Sequence, residues 1–160
     1  MSNQSDLPKT VLITGASAGI GKELAHVFAR HQFDVILVAR RQDKLEAVAA
    51  DIKQRYGQMA YVLTENLADP AAPQRIFDWC QEHKLAVDAL VNNAGYALHS
   101  EFLEASWQSH LDFMQVLNIS VVHLCHLFAP AMKERGYGRI INLASIAAWS
   151  PQLKGNLYGA

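Results

Sequence analysis

Residues Thr14 to Gly21 read TGASAGIG and directly follow the apolar run Val11-Leu12-Ile13. Gly15, Gly19 and Gly21 stand in the spacing G-x-x-x-G-x-G at a strand-to-helix junction. Glycines there let the backbone turn tightly and approach another group closely. The helix that follows points unpaired N–H groups and its positive dipole end at the same place. A phosphate suits such a corner, so the segment is a candidate dinucleotide site. Two other phosphate patterns fail on spacing. In G-x-x-x-x-G-K-[ST], Gly15 lies one residue too far from Gly21-Lys22, and Glu23 stands where a Ser or Thr would hold magnesium. In G-x-G-x-x-G, Leu24 occupies the last glycine position. A plain glycine-rich turn is the remaining alternative.

The rest of the chain alternates short apolar runs with stretches of helical spacing. Strands are expected at Val11–Ile13, Val35–Ala39, Ala60–Thr64, Ala89–Asn92 and Arg139–Leu143. Helical spacing is marked by Ile20, Leu24, Val27 and Phe28, then by Leu45, Val48, Ala49 and Ile52, then by Ile76, Phe77, Trp79 and Cys80. A long fourth helix is expected from Ser106 to about Arg135. Asp69-Pro70 reads as the start of the third helix, and Gly136-Tyr137-Gly138 as the end of the fourth. Alternation of this kind implies right-handed β-α-β crossovers and a doubly wound parallel sheet with helices on both faces. Near-continuously apolar strands agree with a sheet covered on both sides. The fourth helix is apolar on more than one side (Leu111, Phe113, Val116, Ile119, Val122, Leu127), which calls for a neighbour beyond the sheet.

The formal net charge of −1 gives no electrostatic case for nucleic acid or an anionic membrane as partner. No run of about 18 or more apolar residues marks a membrane span, and the polar start MSNQSDLPK lacks signal-peptide form. Cys80 and Cys125 form no C-x-x-C pair and are expected to be buried, structural thiols in a reducing, cytoplasmic setting.

The second strand ends in Ala39-Arg40-Arg41. In doubly wound folds an acid at that place binds a ribose 2′-hydroxyl, and an arginine accommodates a 2′-phosphate. With two arginines and no acid, NADP(H) is expected over NAD(H), with Ser17 adding a hydroxyl contact. The alternative is that both arginines are solvated residues opening the second helix.

TGxxxGxG, together with NNAG at Asn92–Gly95, Asn118, Ser145 and a tyrosine thirteen residues later, Tyr158, resembles the short-chain dehydrogenase/reductase family from about Leu7 onward. The resemblance implies one dinucleotide-binding, Rossmann-like domain over 1–160 with strand order 3-2-1-4-5, lacking the family's C-terminal strands and helices. It implies hydride transfer between NADP(H) and a small alcohol or carbonyl substrate. Tyr158 would be the acid/base, Ser145 would hold the substrate oxygen, and Asn118 would hold a water in the proton relay. Cofactor contacts would come from Gly15, Ser17, Gly19, Ile20, Gly21, Arg40 and Arg41, and from Asn93, Ala94 and Gly95. Asn66 and Leu67 would meet the adenine, although the family often has aspartate at the first of these. A homo-oligomer is expected for the full-length form.

The family motif is Y-x-x-x-K, and its lysine would fall at position 162. On that ground the chain as written is expected to lack full activity. The alternatives are a catalytically inactive NADP(H)-binding module and a remnant that does not fold. Ala148, Trp149, Ser150, Pro151, Gln152 and Leu153 would form one substrate wall, with Trp149 either facing an apolar substrate or packing a loop. His99 and Ser100 could border the same site. His123 and His126 lie three apart on a helix, but no further ligands join them and no metal is expected.

Overall fold

The computed structural model describes residues 9–98, 100–149 and 157–158. In chain order the elements are β1 (Thr10–Thr14), α1 (Gly19–Arg30), β2 (Asp34–Ala39), α2 (Gln42–Tyr56), β3 (Ala60–Thr64), α3 (Ala72–Glu82) and β4 (Val87–Asn92). Then follow α4 (Trp107–Met114), a π-helical turn (Gln115–Ile119), α5 (Ser120–Glu134), β5 (Arg139–Asn142) and a 3-10 turn (Ile146–Ala148). The sheet is parallel throughout, in the order β3-β2-β1-β4-β5. All five expected strands form, each within two residues of its expected ends.

Strand side chains alternate between the two faces of the sheet. Val11, Ile13, Val35, Leu37, Ala89 and Val91 pack with Ala25 and Ala29 of α1 and with Leu45, Val48 and Ile52 of α2. Leu12, Ile36, Val38 and Leu90 pack with Ile76 and Cys80 of α3 and with Leu124, Phe128 and Met132 of α5. Helices therefore cover both faces of β1, β2 and β4, whereas β5 is exposed along its length. The chain steps from β1 outward through β2 to β3, and α3 then carries it back across to β4 on the other side of β1. A crevice opens at the carboxyl ends of β1 and β4, where such sheets take their ligands.

Two boundaries differ from the sequence reading. The third helix starts at Ala72 rather than at Asp69-Pro70. Asp69 first makes a turn, its Oδ1 accepting the Ala71 N–H at 2.9 Å and its carbonyl the Ala72 N–H at 3.0 Å. Pro73 takes the early helical position where a missing N–H costs nothing. The long fourth helix is not uniform. Ser106 caps it by accepting the Ser109 N–H at 3.1 Å, but the π-helical turn divides it into α4 and α5.

The helical run Trp107–Glu134 is long and apolar enough by length and composition to cross a bilayer. Its buried side chains, Phe113, Val116, Leu124, Phe128 and Met132, lie among the core residues. Ile119 and Val122 are exposed on its other side, at 53% and 69%. Ile140 and Ile141 of β5 are exposed as well.

Candidate functional site

A cleft of about 890 Å³ lies at the carboxyl ends of the strands. The loop after β1 forms its floor. Gly15 has φ +69°, and a Cβ there would stand 2.9 Å from the Ala94 Cα. Gly21 is buried, and a Cβ on it would run into the Gly15 carbonyl oxygen. Both positions therefore need glycine for close approach. α1 begins without a side-chain cap and with no acid in its first turn. Its first N–H groups lack intrahelical partners, and nothing anionic competes for them. Ser17, Ala18 and Ile20 line the cleft at this corner, and Gly19 opens the helix beside them.

Thr14 ties the glycine loop to the end of β4, the strand beside β1 in the sheet. Its hydroxyl donates to the Val91 carbonyl at 3.3 Å and accepts the N–H groups of Asn93 and Ala94, each at 3.0 Å. Asn93 returns the contact, donating its side-chain amide to the Thr14 carbonyl at 2.9 Å. Asn92, buried at the end of β4, donates to the Asn142 side-chain oxygen at 2.8 Å and so links β4 to β5. Gly95 and Ala94 continue the wall of the cleft.

At the end of β2 the Arg41 guanidinium donates to the Ser17 hydroxyl at 3.1 Å. Arg40 lines the cleft beside it, and among the described residues neither arginine has an ion-pair partner. Opposite, Glu65, Asn66, Leu67 and Ala68 line the cleft from the loop between β3 and α3. The Asn66 side-chain oxygen accepts the Ala68 N–H at 3.2 Å, so one of its lone pairs is used within the loop. Arg75 clamps the loop from outside, with bonds of 3.0 and 2.7 Å to Glu65 and 2.9 Å to Asp69.

Asn118, Ser145 and Tyr158 all line this same cleft. Asn118 sits in the π-helical turn, a feature that often marks functional sites. The Ser145 hydroxyl accepts the Ala147 N–H at 3.1 Å and caps the 3-10 turn, which leaves its own O–H free to donate. The Tyr158 ring stands edge-on to Phe113, centroids 6.3 Å apart, and Phe113 stands edge-on to Tyr96 at 5.5 Å. Burial, followed by the Asp112 carboxylate, holds the Tyr96 hydroxyl above the ordinary tyrosine value, with Arg40 pulling the other way.

Trp149 is 90% exposed and is not among the described residues that line the cleft, whereas Ala148 is. Cys80 is buried, and that pushes its thiol up to about 12. Cys125 is only half-buried and receives a side-chain N–H from Asn92 at 3.4 Å. His99 and the stretch Ser150, Pro151, Gln152 and Leu153 lie outside the described residues. Among those described, no group of three or more His, Cys, Asp or Glu is placed to hold a metal. Sequence reasoning passes over Thr14 as a site residue, although it opens the glycine motif. It has no signal for Tyr96 and Phe113, whose meeting with Tyr158 is a matter of packing alone.

Comparison with known proteins agrees with this geometry. The family model described as short chain dehydrogenase matches residues 9–160. Serine 3-dehydrogenase of Agrobacterium fabrum (strain C58) is 34% identical over 154 residues, covering 94% of this chain and 59% of that protein. The NADP-dependent 3-hydroxy acid dehydrogenase YdfG of Escherichia coli (strain K12) is 33% identical over 160 residues, with the same coverage. Among solved structures, L-sorbose reductase from Gluconobacter frateurii, complexed with NADPH and L-sorbose, superposes with a TM-score of 0.89 at 31% identity. It is matched over 95% of this chain and 58% of its own. A short-chain dehydrogenase from Sphingobium yanoikuyae in complex with NADPH superposes at 0.88 and 32%, over 94% and 59%. The chain spans about 59% of the length of these two curated relatives. With the family model matched over residues 9–160, the chain belongs to the short-chain dehydrogenase family.

Proposed function

We propose that this chain binds NADP(H) in the cleft and belongs to an oxidoreductase that moves a hydride between that cofactor and an alcohol or carbonyl substrate. The observation that carries the reading is the meeting of Asn118, Ser145 and Tyr158 in the cleft that the glycine loop and Arg41 also line. The residues suit the cofactor. The uncapped start of α1 and the Gly15 corner accept a phosphate closely, and Arg41 with Ser17 offers donors where a 2′-phosphate would lie. The NADP-dependent relative from Escherichia coli and the two NADPH-bound structures named above support the same choice.

Bound NADP(H) supplies the hydride donor or acceptor. The chain's own groups handle the charge that builds on the substrate oxygen. Tyr158 gives that oxygen its proton in reduction and takes it in oxidation. Ser145, its hydroxyl held as an acceptor by Ala147, directs its O–H at the same oxygen. Asn118 holds a water from the π-helical turn. Tyr96, Ala97 and Ala148 make the substrate side mixed and largely uncharged.

The test is calorimetric titration of the purified chain with NADPH and with NADH. NADPH is expected to bind more tightly by about 10- to 150-fold, the worth of a charged hydrogen bond of about 1.5–3 kcal/mol. Arg41→Ala is expected to bring the two affinities together. Equal affinities in the unaltered chain would overturn the choice of cofactor.

A further inference from the structure

The π-helical turn that carries Asn118 is held by one pair of side chains. The backbone N–H of Ser120 bonds to the Gln115 carbonyl, the i to i+5 contact that defines the turn. The side chains of the same two residues meet as well. Gln115 donates its amide to the Ser120 hydroxyl at 3.2 Å. Ser120 in turn donates to the carbonyl oxygen of Leu67 at 3.0 Å. Both residues are buried, Ser120 completely and Gln115 at 7% exposure.

Leu67 belongs to the loop between β3 and α3 that walls the cleft opposite Arg41, and it is 53 residues from Ser120 in sequence. A buried amide-hydroxyl-carbonyl chain has strict demands. Each bond polarises the next, and no water stands ready to replace a lost partner. A helix made of i to i+4 bonds across 115–120 would rotate Ser120 about its axis and leave the Leu67 carbonyl without its donor. The distant carbonyl thus favours the π form, and the π form sets the place of Asn118 at the mouth of the cleft.

We infer that Gln115 and Ser120 are positioning residues: they pin the π-helical turn to Leu67, aim Asn118 into the cleft, and join its position to the loop at the far wall. The inference rests on the proposed cofactor reading only in taking that loop to meet the adenosine half. Filling the adenosine end steadies Leu67, and through Ser120 this steadies Asn118. Neither Gln115 nor Ser120 touches a reacting atom in this account.

Two readouts on the isotope-labelled chain decide it, and neither needs turnover. The first uses no ligand. In Ser120→Ala, the amide of residue 120 is expected to exchange with deuterium at least tenfold faster, while the amides of 124–132 in α5 keep their protection. Ser120→Thr, which keeps the hydroxyl, is expected to restore slow exchange. Unchanged protection in Ser120→Ala overturns the pinning. Should Ser120→Ala fail to fold, Ser120→Cys puts a weak donor in place of the hydroxyl and is read in the same way, while Gln115→Met removes only the Gln115 bond and tests that link alone.

The second readout follows the Asn118 side-chain amide by NMR during titration with 2′,5′-ADP, which has no nicotinamide half. The Asn118 signal is expected to move in the unaltered chain and in Ser120→Thr, and to stay in place in Ser120→Ala at saturating ligand. An equal movement in Ser120→Ala, or none in the unaltered chain despite binding, overturns the coupling. If 2′,5′-ADP does not bind the unaltered chain, the adenosine assignment falls and the coupling with it, while the exchange measurement still decides the pinning.

Discussion

The hydroxyl of Thr14 holds the backbone N–H of Asn93 at 3.0 Å, across 79 residues of sequence. The same oxygen takes the N–H of Ala94 and donates to Val91. One hydroxyl therefore fixes the spacing between the glycine loop and the NNAG strand end. Thr14→Val keeps the shape and removes the oxygen. It is expected to cost about 2–3 kcal/mol, since partly buried N–H groups lose their acceptor. Urea unfolding measures this, and an unchanged midpoint would show that the tether contributes nothing.

Gly21 faces the Gly15 carbonyl so closely that a methyl group has no room. The obstacle is backbone, which cannot swing aside like a side chain. Gly21→Ala is expected to destabilise the chain by about 1–3 kcal/mol and to weaken NADPH binding by tenfold or more as α1 is pushed from the loop. A variant with unaltered Tm and NADPH affinity would contradict the close packing described here.

Asp69 titrates below the ordinary carboxylate range because of the Ala71 N–H first and the Arg75 guanidinium second. A lowered carboxylate adds stability above its unfolded pKa and loses it as pH falls through the folded one. The Asp69 contribution is therefore expected to be full above about pH 4 and to fade below it. In Arg75→Ala the titration of Asp69, followed by carbon NMR, is expected to move up only part of the way toward the usual value, since Ala71 remains. A complete return would place the main cause on Arg75 instead.

Cys80 behaves in the opposite sense at alkaline pH. Burial pushes its thiol up to about 12, so the unfolded chain loses this proton first. The stability it protects is present below the unfolded pKa of about 8.5 and is lost toward pH 12, by about 1.4 kcal/mol per pH unit. Cys80→Val is expected to flatten that part of the stability profile relative to the unaltered chain. Iodoacetamide at pH 8 is expected to label half-buried Cys125 and to leave Cys80 untouched until the chain unfolds. Equal labelling rates would refute the burial argument.

Much of the fold was legible in the sequence because its signals are local. A run such as Val35-Ile36-Leu37-Val38 with no polar residue belongs in a covered strand, and Ile76 and Cys80 at helical spacing belong on one buried face. The glycine spacing, NNAG, Ser145 and Tyr158 mark the residues of the cleft in the sequence itself. The π-helical turn at Gln115–Ile119 was not legible. Nothing in QVLNIS breaks a helical pattern, and the reason for the turn lies at Leu67, far away in sequence. The aromatic contacts of Tyr96, Phe113 and Tyr158 come from three separate segments and escaped notice for the same reason.

By itself the sequence determined the family, the order of strands and helices, and the residue types available for phosphate, proton and hydroxyl contacts. Periodicity, glycine spacing and side-chain chemistry are properties of neighbouring residues, so a linear reading reaches them. Only the tertiary structure decided which of these groups meet: Arg41 with Ser17, Thr14 with Asn93, and Ser120 with Leu67. Such contacts exist only after the sheet has closed the distance between segments. Their hydrogen bonds need positions good to a few tenths of an ångström, which packing supplies and sequence pattern does not encode.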